Sequence, residues 1–276
     1  MYKTTKGKRA FLHLVLILGA VIMIVPFVWM LLTSVKSMPE ATSMNPFIWF
    51  SQDPQWSNYQ KVWEAYDFPR LYFNTFVMIA VRVFCALLFS SMAAYAFARL
   101  EFPGRNLLFN LVLFQMMIPV QIFIIPQYLM IDKLHARNTI FALIFPGLVS
   151  AFGTFLLRQF FMKLPKEIEE SAIIDGCNPW QVYFRIMLPL VRSGLAALGI
   201  FTALFAFKDL MWPLIVNTKD EAATLASALA KIQGSYVVDY PALMSAGVLA
   251  VVPMIIIYII FQKQITEGIA TTGGKL

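Results

Sequence analysis

Arg82, Lys208 and Asp209 stand inside stretches of sequence that are otherwise apolar. A cation at the centre of a lipid-crossing helix costs about 2.5 to 3.5 kcal/mol on insertion scales, so each must face protein, water or a solute. Two kinds of chemistry fit these residues. One is ion pairing, Asp209 with Arg82 across two spans or with a second subunit. The other is attraction, by Lys208 or Arg82, of an anionic group on a passing solute. Gln115, Gln121 and Gln127 sit around Pro119 and Pro126 in another apolar stretch. Prolines free backbone carbonyls and glutamines need partners, so part of that helix should face protein or water, by lining a pore or packing on a neighbour.

Residues suited to covalent, redox or metal chemistry lack useful spacings. His13 and His135 are the two histidines, and neither His-Glu-x-x-His, Cys-x-x-Cys nor a serine elbow occurs. The ending Thr-Thr-Gly-Gly-Lys-Leu has neither the spacing nor the hydroxyl of a phosphate-binding loop. Cys85 and Cys177 fall in different environments, so no disulfide is expected. These absences predict a chain that is not an enzyme and binds no cofactor or metal by itself.

Hydrophobic residues make up 59% of the 276 positions and charged residues 13%, against about 25% charged in soluble proteins. Such a chain belongs in a lipid bilayer. Six apolar runs, at about 10–34, 71–98, 106–130, 139–160, 194–217 and 241–262, are each long enough to cross about 30 Å of hydrocarbon as helices. The expected fold is therefore all-α with six transmembrane helices, a tail over 1–9 and another over 263–276. The first run follows Lys3, Lys6, Lys8 and Arg9 but lacks a small-residue cleavage site, and reads as a retained anchor. Lysine and arginine are more numerous on the side that holds the termini, which predicts that both termini are cytoplasmic. The net charge of +7 is spread along those edges and forms no basic patch with interleaved aromatics, so no nucleic acid is expected.

Three connecting segments carry their own signals. Residues 35–70 alternate Pro39, Pro46, Pro54 and Pro69 with Trp49, Trp56 and Trp63, a pattern for a membrane boundary or an external docking surface. The loop of about 218–240 holds Gly234, placed to turn the chain between a short helix and the last span. Residues 163–192 form a polar island. Pro165 followed by Glu167, Glu169 and Glu170 suits a helix start, and Asp175-Gly176 suits its end. Asn178, Pro179 and Gln181 then specify a capped second helix.

In that island Glu170, Ser171 and Ala172 are followed by Gly176, Ile186, Leu188 and Pro189. This resembles the EAA loop in the membrane subunits of ABC importers: Glu-Ala-Ala, three residues, Gly, nine residues, Ile, one residue, Leu-Pro. Ser171 for alanine is the one departure. The resemblance implies a coupling helix seated in a cleft on a cytoplasmic ATPase, with Glu170, Ser171, Ala172, Asp175 and Gly176 at the contact.

Nearly the whole chain is similar to the carbohydrate-uptake branch, near the second membrane subunit of maltose importers. The segments NTFVMIAVRVFCALLFSSMAAYAFARLEFPGR, MMIPVQIFIIPQYLM, NTIFALIFPG, MWPLIV and FQKQITEGIATTGGKL carry the likeness. It implies a type I importer in a bacterial cell membrane, with a second homologous permease, two ATPase subunits that hold ATP and Mg, and an extracytoplasmic sugar-binding protein. The cargo so implied is an oligosaccharide or other sugar. Arg82, Gln115, Gln121, Lys208 and Asp209 are the candidates for the translocation path. Gln233, Gly234, Ser235 and Tyr236 correspond to the loop that meets the binding protein in relatives, and Gln264–Leu276 to a tail that reaches the ATPase interface. Relatives usually carry Trp-Asn before an acidic residue in the fifth span, where this chain has Phe207, Lys208 and Asp209. The alternatives are an importer permease for a non-sugar solute and a stand-alone transporter or channel. The latter predicts transport without an ATPase and more paired intramembrane charges.

Overall fold

The computed structural model describes residues 6–234 and 238–272, folded into helices and the turns that join them. In chain order the helices begin with α1 (Lys6–Ser34), α2 (Met38–Thr42), α3 (Ser57–Ala65), α4 (Phe68–Arg99) and α5 (Arg105–Met117). Then come α6 (Ile124–Lys133), α7 (Ile140–Ile144), α8 (Ala151–Met162), α9 (Glu167–Ile174) and α10 (Pro179–Gln181). A π-helical turn (Val182–Met187) leads to α11 (Leu188–Leu190), α12 (Arg192–Lys208), α13 (Met211–Val216), α14 (Leu225–Gln233) and α15 (Tyr240–Thr272). The described residues hold no strand, only an isolated bridge between Met44 and Phe47. The fold is all-α.

Among the described residues three helices are long and apolar enough to cross a membrane, and up to six crossings result if each bent pair counts as one. The bends have local causes. The stretch expected as one span at 106–130 turns by 100° between α5 and the segment Val120–Lys133. Pro119 stands at the break ahead of a 3-10 turn, while Pro126 falls in the first turn of α6, where no intrahelical amide is required. The stretch 139–160 bends by 45° at the break between Gly147 and Ala151, just after a 3-10 turn that contains Pro146 and Gly147. Each half is restarted by a side-chain cap: Thr139 accepts from the Ala142 amide at 3.2 Å, and Ser150 from the Gly153 amide at 2.9 Å. The last helix runs to Thr272, ten residues beyond the expected span end at 262, while 273–276 lie outside the described residues.

The chain divides into two compact units. One joins the chain up to Phe68 with Leu229–Ile256, and the other joins Pro69–Ala228 with the chain from Ile257. In the first, α1 is apolar on every face, and none of its most apolar stretch is buried. Its carbonyl end, which no intrahelical donor can satisfy, is closed by side chains. The Ser34 carbonyl accepts from Asn58 Nδ2 at 3.0 Å and from Ser245 Oγ at 3.0 Å. Beyond it the Lys36 ammonium is buried, donates to the Ile48 carbonyl at 2.6 Å and lies 4.2 Å from the Trp29 ring centre. Burial pulls its pKa below the usual lysine value. Glu40 ties the same loop down, accepting from the Ser37 amide at 2.9 Å and Ser51 Oγ at 2.9 Å. These donors, the Ser37 amide foremost, hold its carboxyl down at about 2.

Two buried clusters stand out among the described residues of the second unit. Tyr95, Leu157, Phe161, Ala172, Tyr183 and Met187 join α4 and α8 to the polar island. Met78, Ile131, Leu143, Ala206 and Trp212 join α4, α6 and α7 to the α12–α13 segment. The segment before α14 is pinned to the start of α4. Asn74 Nδ2 donates to the carbonyls of Glu221 and Ala223, at 3.0 and 2.9 Å, and Thr75 Oγ1 accepts from the Leu225 amide at 3.0 Å.

Candidate functional site

The polar island folds as two helical pieces joined at a glycine. After α9 the chain reverses through Gly176, whose φ of +85° is left-handed and favours a residue without Cβ. Asn178 then accepts from the Gln181 amide at 2.9 Å while Gln181 Oε1 accepts from the Asn178 amide at 2.8 Å, a reciprocal cap. One face is inward: Ala172 is buried, with Ile168 packed against the same core. The other face presents Glu170, Ser171 and Asp175 together with Ile173 and Ile174, which are 63% and 84% exposed. Trp180 and Phe184 stack beside it, also exposed. Exposed apolar side chains rimmed by carboxylates have the composition of an interaction site.

Arg99, the last residue of α4, anchors this hairpin. Its Nη2 donates to the carbonyls of Phe161 and Leu164, at 2.8 and 2.5 Å, and its Nε lies 3.5 Å from the Glu169 carboxylate. That last contact is an ion pair without hydrogen-bond geometry, since Nε has no hydrogen-bond partner. Arg82 lies about 25 Å back along the same helix. It donates Nη1 to Asp209 Oδ2 at 2.8 Å, and Nε to the Leu143 carbonyl at 2.9 Å; Nη2 also donates to that carbonyl. Leu143 is in the last turn of α7, so Arg82 satisfies a carbonyl the helix cannot, at the negative end of its dipole. Gly147 permits this, because a Cβ there would collide with the Arg82 side chain.

Asp209 follows α12 directly, at the break before α13, and Lys208 closes α12. Arg82, Lys208 and Asp209 line a cavity of about 530 Å³ with Gln121, Gln127 and Ser150. Phe152 and Phe205 form part of its apolar wall. Four of the five residues expected along a translocation path thus meet in one place. Gln115 does not; it is exposed on α5 and lines no part of this cavity, because the bend at Pro119 separates it from Gln121. Ser150 and Thr202 also line it, and sequence reading passed over them because short hydroxyl residues are common in membrane helices. Gln233 and Gly234 are exposed at the end of α14, and Gly234 continues its hydrogen bonding to Ala230 at 3.0 Å without a left-handed conformation. Ser235 and Tyr236 lie outside the described residues.

An all-helical fold with helices apolar enough to cross a membrane, and a cavity at broken helices that gathers Arg82, Lys208 and Asp209, fit a membrane subunit that passes a solute. The chain belongs to the family of binding-protein-dependent transport system inner membrane components, whose model matches residues 86–270. It is a permease subunit of the ABC importer type. It is 34% identical over 264 residues to the diacetylchitobiose uptake system permease protein NgcG of Streptomyces coelicolor, covering 94% of this chain and 86% of that one. It is 38% identical over 202 residues to the arabinooligosaccharides transport system permease protein AraQ of Halalkalibacterium halodurans, covering 73% and 72%. Its fold matches a chain in the crystal structure of a bacterial ABC transporter involved in the import of the acidic polysaccharide alginate. The TM-score is 0.79 at 22% identity, over 95% of this chain and 99% of the other.

Proposed function

We propose that this chain forms half of the translocation path of an ATP-driven sugar importer and is driven through its 163–192 hairpin by a cytoplasmic ATPase. The observation that carries this reading is α4, a single helix tied at one end to the hairpin by Arg99 and, farther back, to the cavity by Arg82. Nucleotide-driven closure of an ATPase pair moves the α9 surface around Glu170 as a rigid body. The cavity then opens to one side or the other. Six crossings with both termini cytoplasmic put the hairpin on the ATPase side. The partners are a second permease, two ATPase subunits that bind ATP and Mg, and an external sugar-binding protein that meets the loop around Gln233. The names of NgcG and AraQ support oligosaccharide cargo.

Mild-detergent purification of the tagged chain from its native membrane, with mass spectrometry of what stays bound, tests the assembly. A second permease and an ATPase are expected, and Glu170→Lys should lose the ATPase while keeping the permease. A chain recovered alone that still transports after reconstitution without ATP would sink the reading in favour of a stand-alone transporter.

A further inference from the structure

The cavity residues are not equal in what they have left to offer a ligand. Arg82 is spent structurally, with one edge on Asp209 and the other on the Leu143 carbonyl, and its side chain is 7% exposed. Asp209 in turn cancels its charge. Lys208 is different. It is exposed and lines the cavity, yet it makes no hydrogen bond or ion pair among the described residues. The ionisable side chains lining the cavity are Arg82, Lys208 and Asp209, so they leave an excess of one positive charge, located at the Lys208 ammonium. The α12 carbonyl end supplies a partial negative charge at best, and its effect fades within a turn. An ammonium has three donors and no acceptor, so it calls for an anionic or strongly accepting partner.

We infer that Lys208 is an anion-reading residue of the cargo path and that the cargo carries a carboxylate, as a uronate or another acidic sugar does. The inference rests on the transport reading above and names its substrate class. Gln121, Gln127 and Thr202, which line the same cavity, supply donors and acceptors for sugar hydroxyls, and the exposed ring of Phe205 supplies an apolar face for a pyranose. The competing account is an acidic residue of the partner permease that reaches Lys208 in the assembled pore.

The test uses the whole complex in nanodiscs, with lysines dimethylated by a carbon-13 label, which preserves their charge. The Lys208 resonance is assigned by its disappearance in Lys208→Arg. Glucuronate is titrated against glucose and against sodium chloride at matched ionic strength. A saturable shift of that one resonance with glucuronate, and none with glucose or chloride, is the expected result. No shift with glucuronate, or equal shifts with all three probes, would overturn the inference. So would loss of the partner permease from Lys208→Asn but not from Lys208→Arg, which assigns the charge to subunit contact. Recovery of the ATPase-bound complex is a separate measurement, so the transport reading can stand when the anion site fails.

Discussion

Asp209 does for Arg82 what water would do outside a membrane. Removing the carboxylate in Asp209→Asn leaves the guanidinium with a weaker acceptor in a place that is 7% exposed. The full penalty for breaking a buried pair is about 3–5 kcal/mol. Asp209 is 22% exposed beside a cavity and Arg82 keeps the Leu143 carbonyl. We therefore expect the smaller cost of a lost charged hydrogen bond, about 1.5–3 kcal/mol. A thermal unfolding series of the detergent-purified complex should show a clearly lower midpoint for Asp209→Asn, whereas Lys208→Asn should move it little because Lys208 has no partner among the described residues to lose. Equal midpoints for the wild type and Asp209→Asn would mean that the pair holds nothing together. Sequence alone had already made Arg82 with Asp209 one of two accounts. It could not rank Arg82 against Lys208 as a ligand for cargo, because that depends on which side chain the Leu143 carbonyl takes up.

Among the elements, the hairpin from α9 to α11 is the one whose local chemistry is most complete. Gly176→Ala keeps open space around the new Cβ, since nothing lies within 4 Å of it. The cost is therefore the left-handed backbone alone, roughly 1–2 kcal/mol. Gly176→Asn should cost less, because asparagine tolerates that region. Hydrogen exchange at α9 amides should rise in Gly176→Ala and much less in Gly176→Asn. The reverse order would show that close approach rather than φ selects the glycine. The cap, the glycine turn and the acidic first turn were legible because each depends on neighbours within a few positions. The π-helical turn Val182–Met187 was not, since it reflects how Tyr183 and Met187 reach a core built by α4 and α8. Nor was the sharpness of the break at Pro119: proline forbids a regular continuation but does not set an angle.

For the whole molecule, the unpacked surface of α1 matters most. A helix apolar on every side that buries none of its most apolar stretch is stable only against lipid or another protein. Nitroxides on single cysteines replacing Leu16 and Ile22 in bilayers should collide with oxygen more readily than with a water-soluble relaxing agent. Greater access to the aqueous agent would remove α1 from the membrane.

What the sequence determined by itself about this protein is what local composition and spacing can carry. Apolar length fixed an all-helical membrane chain, and short-range capping residues fixed the hairpin that resembles a coupling loop. Only the tertiary structure decided which distant residues share a cavity. The bend at Pro119 keeps Gln121 there and leaves Gln115 out, and Gly147 lets Arg82 reach both Leu143 and Asp209. Such meetings are set by the angles at which broken helices pack, and a pattern along one chain does not contain those angles.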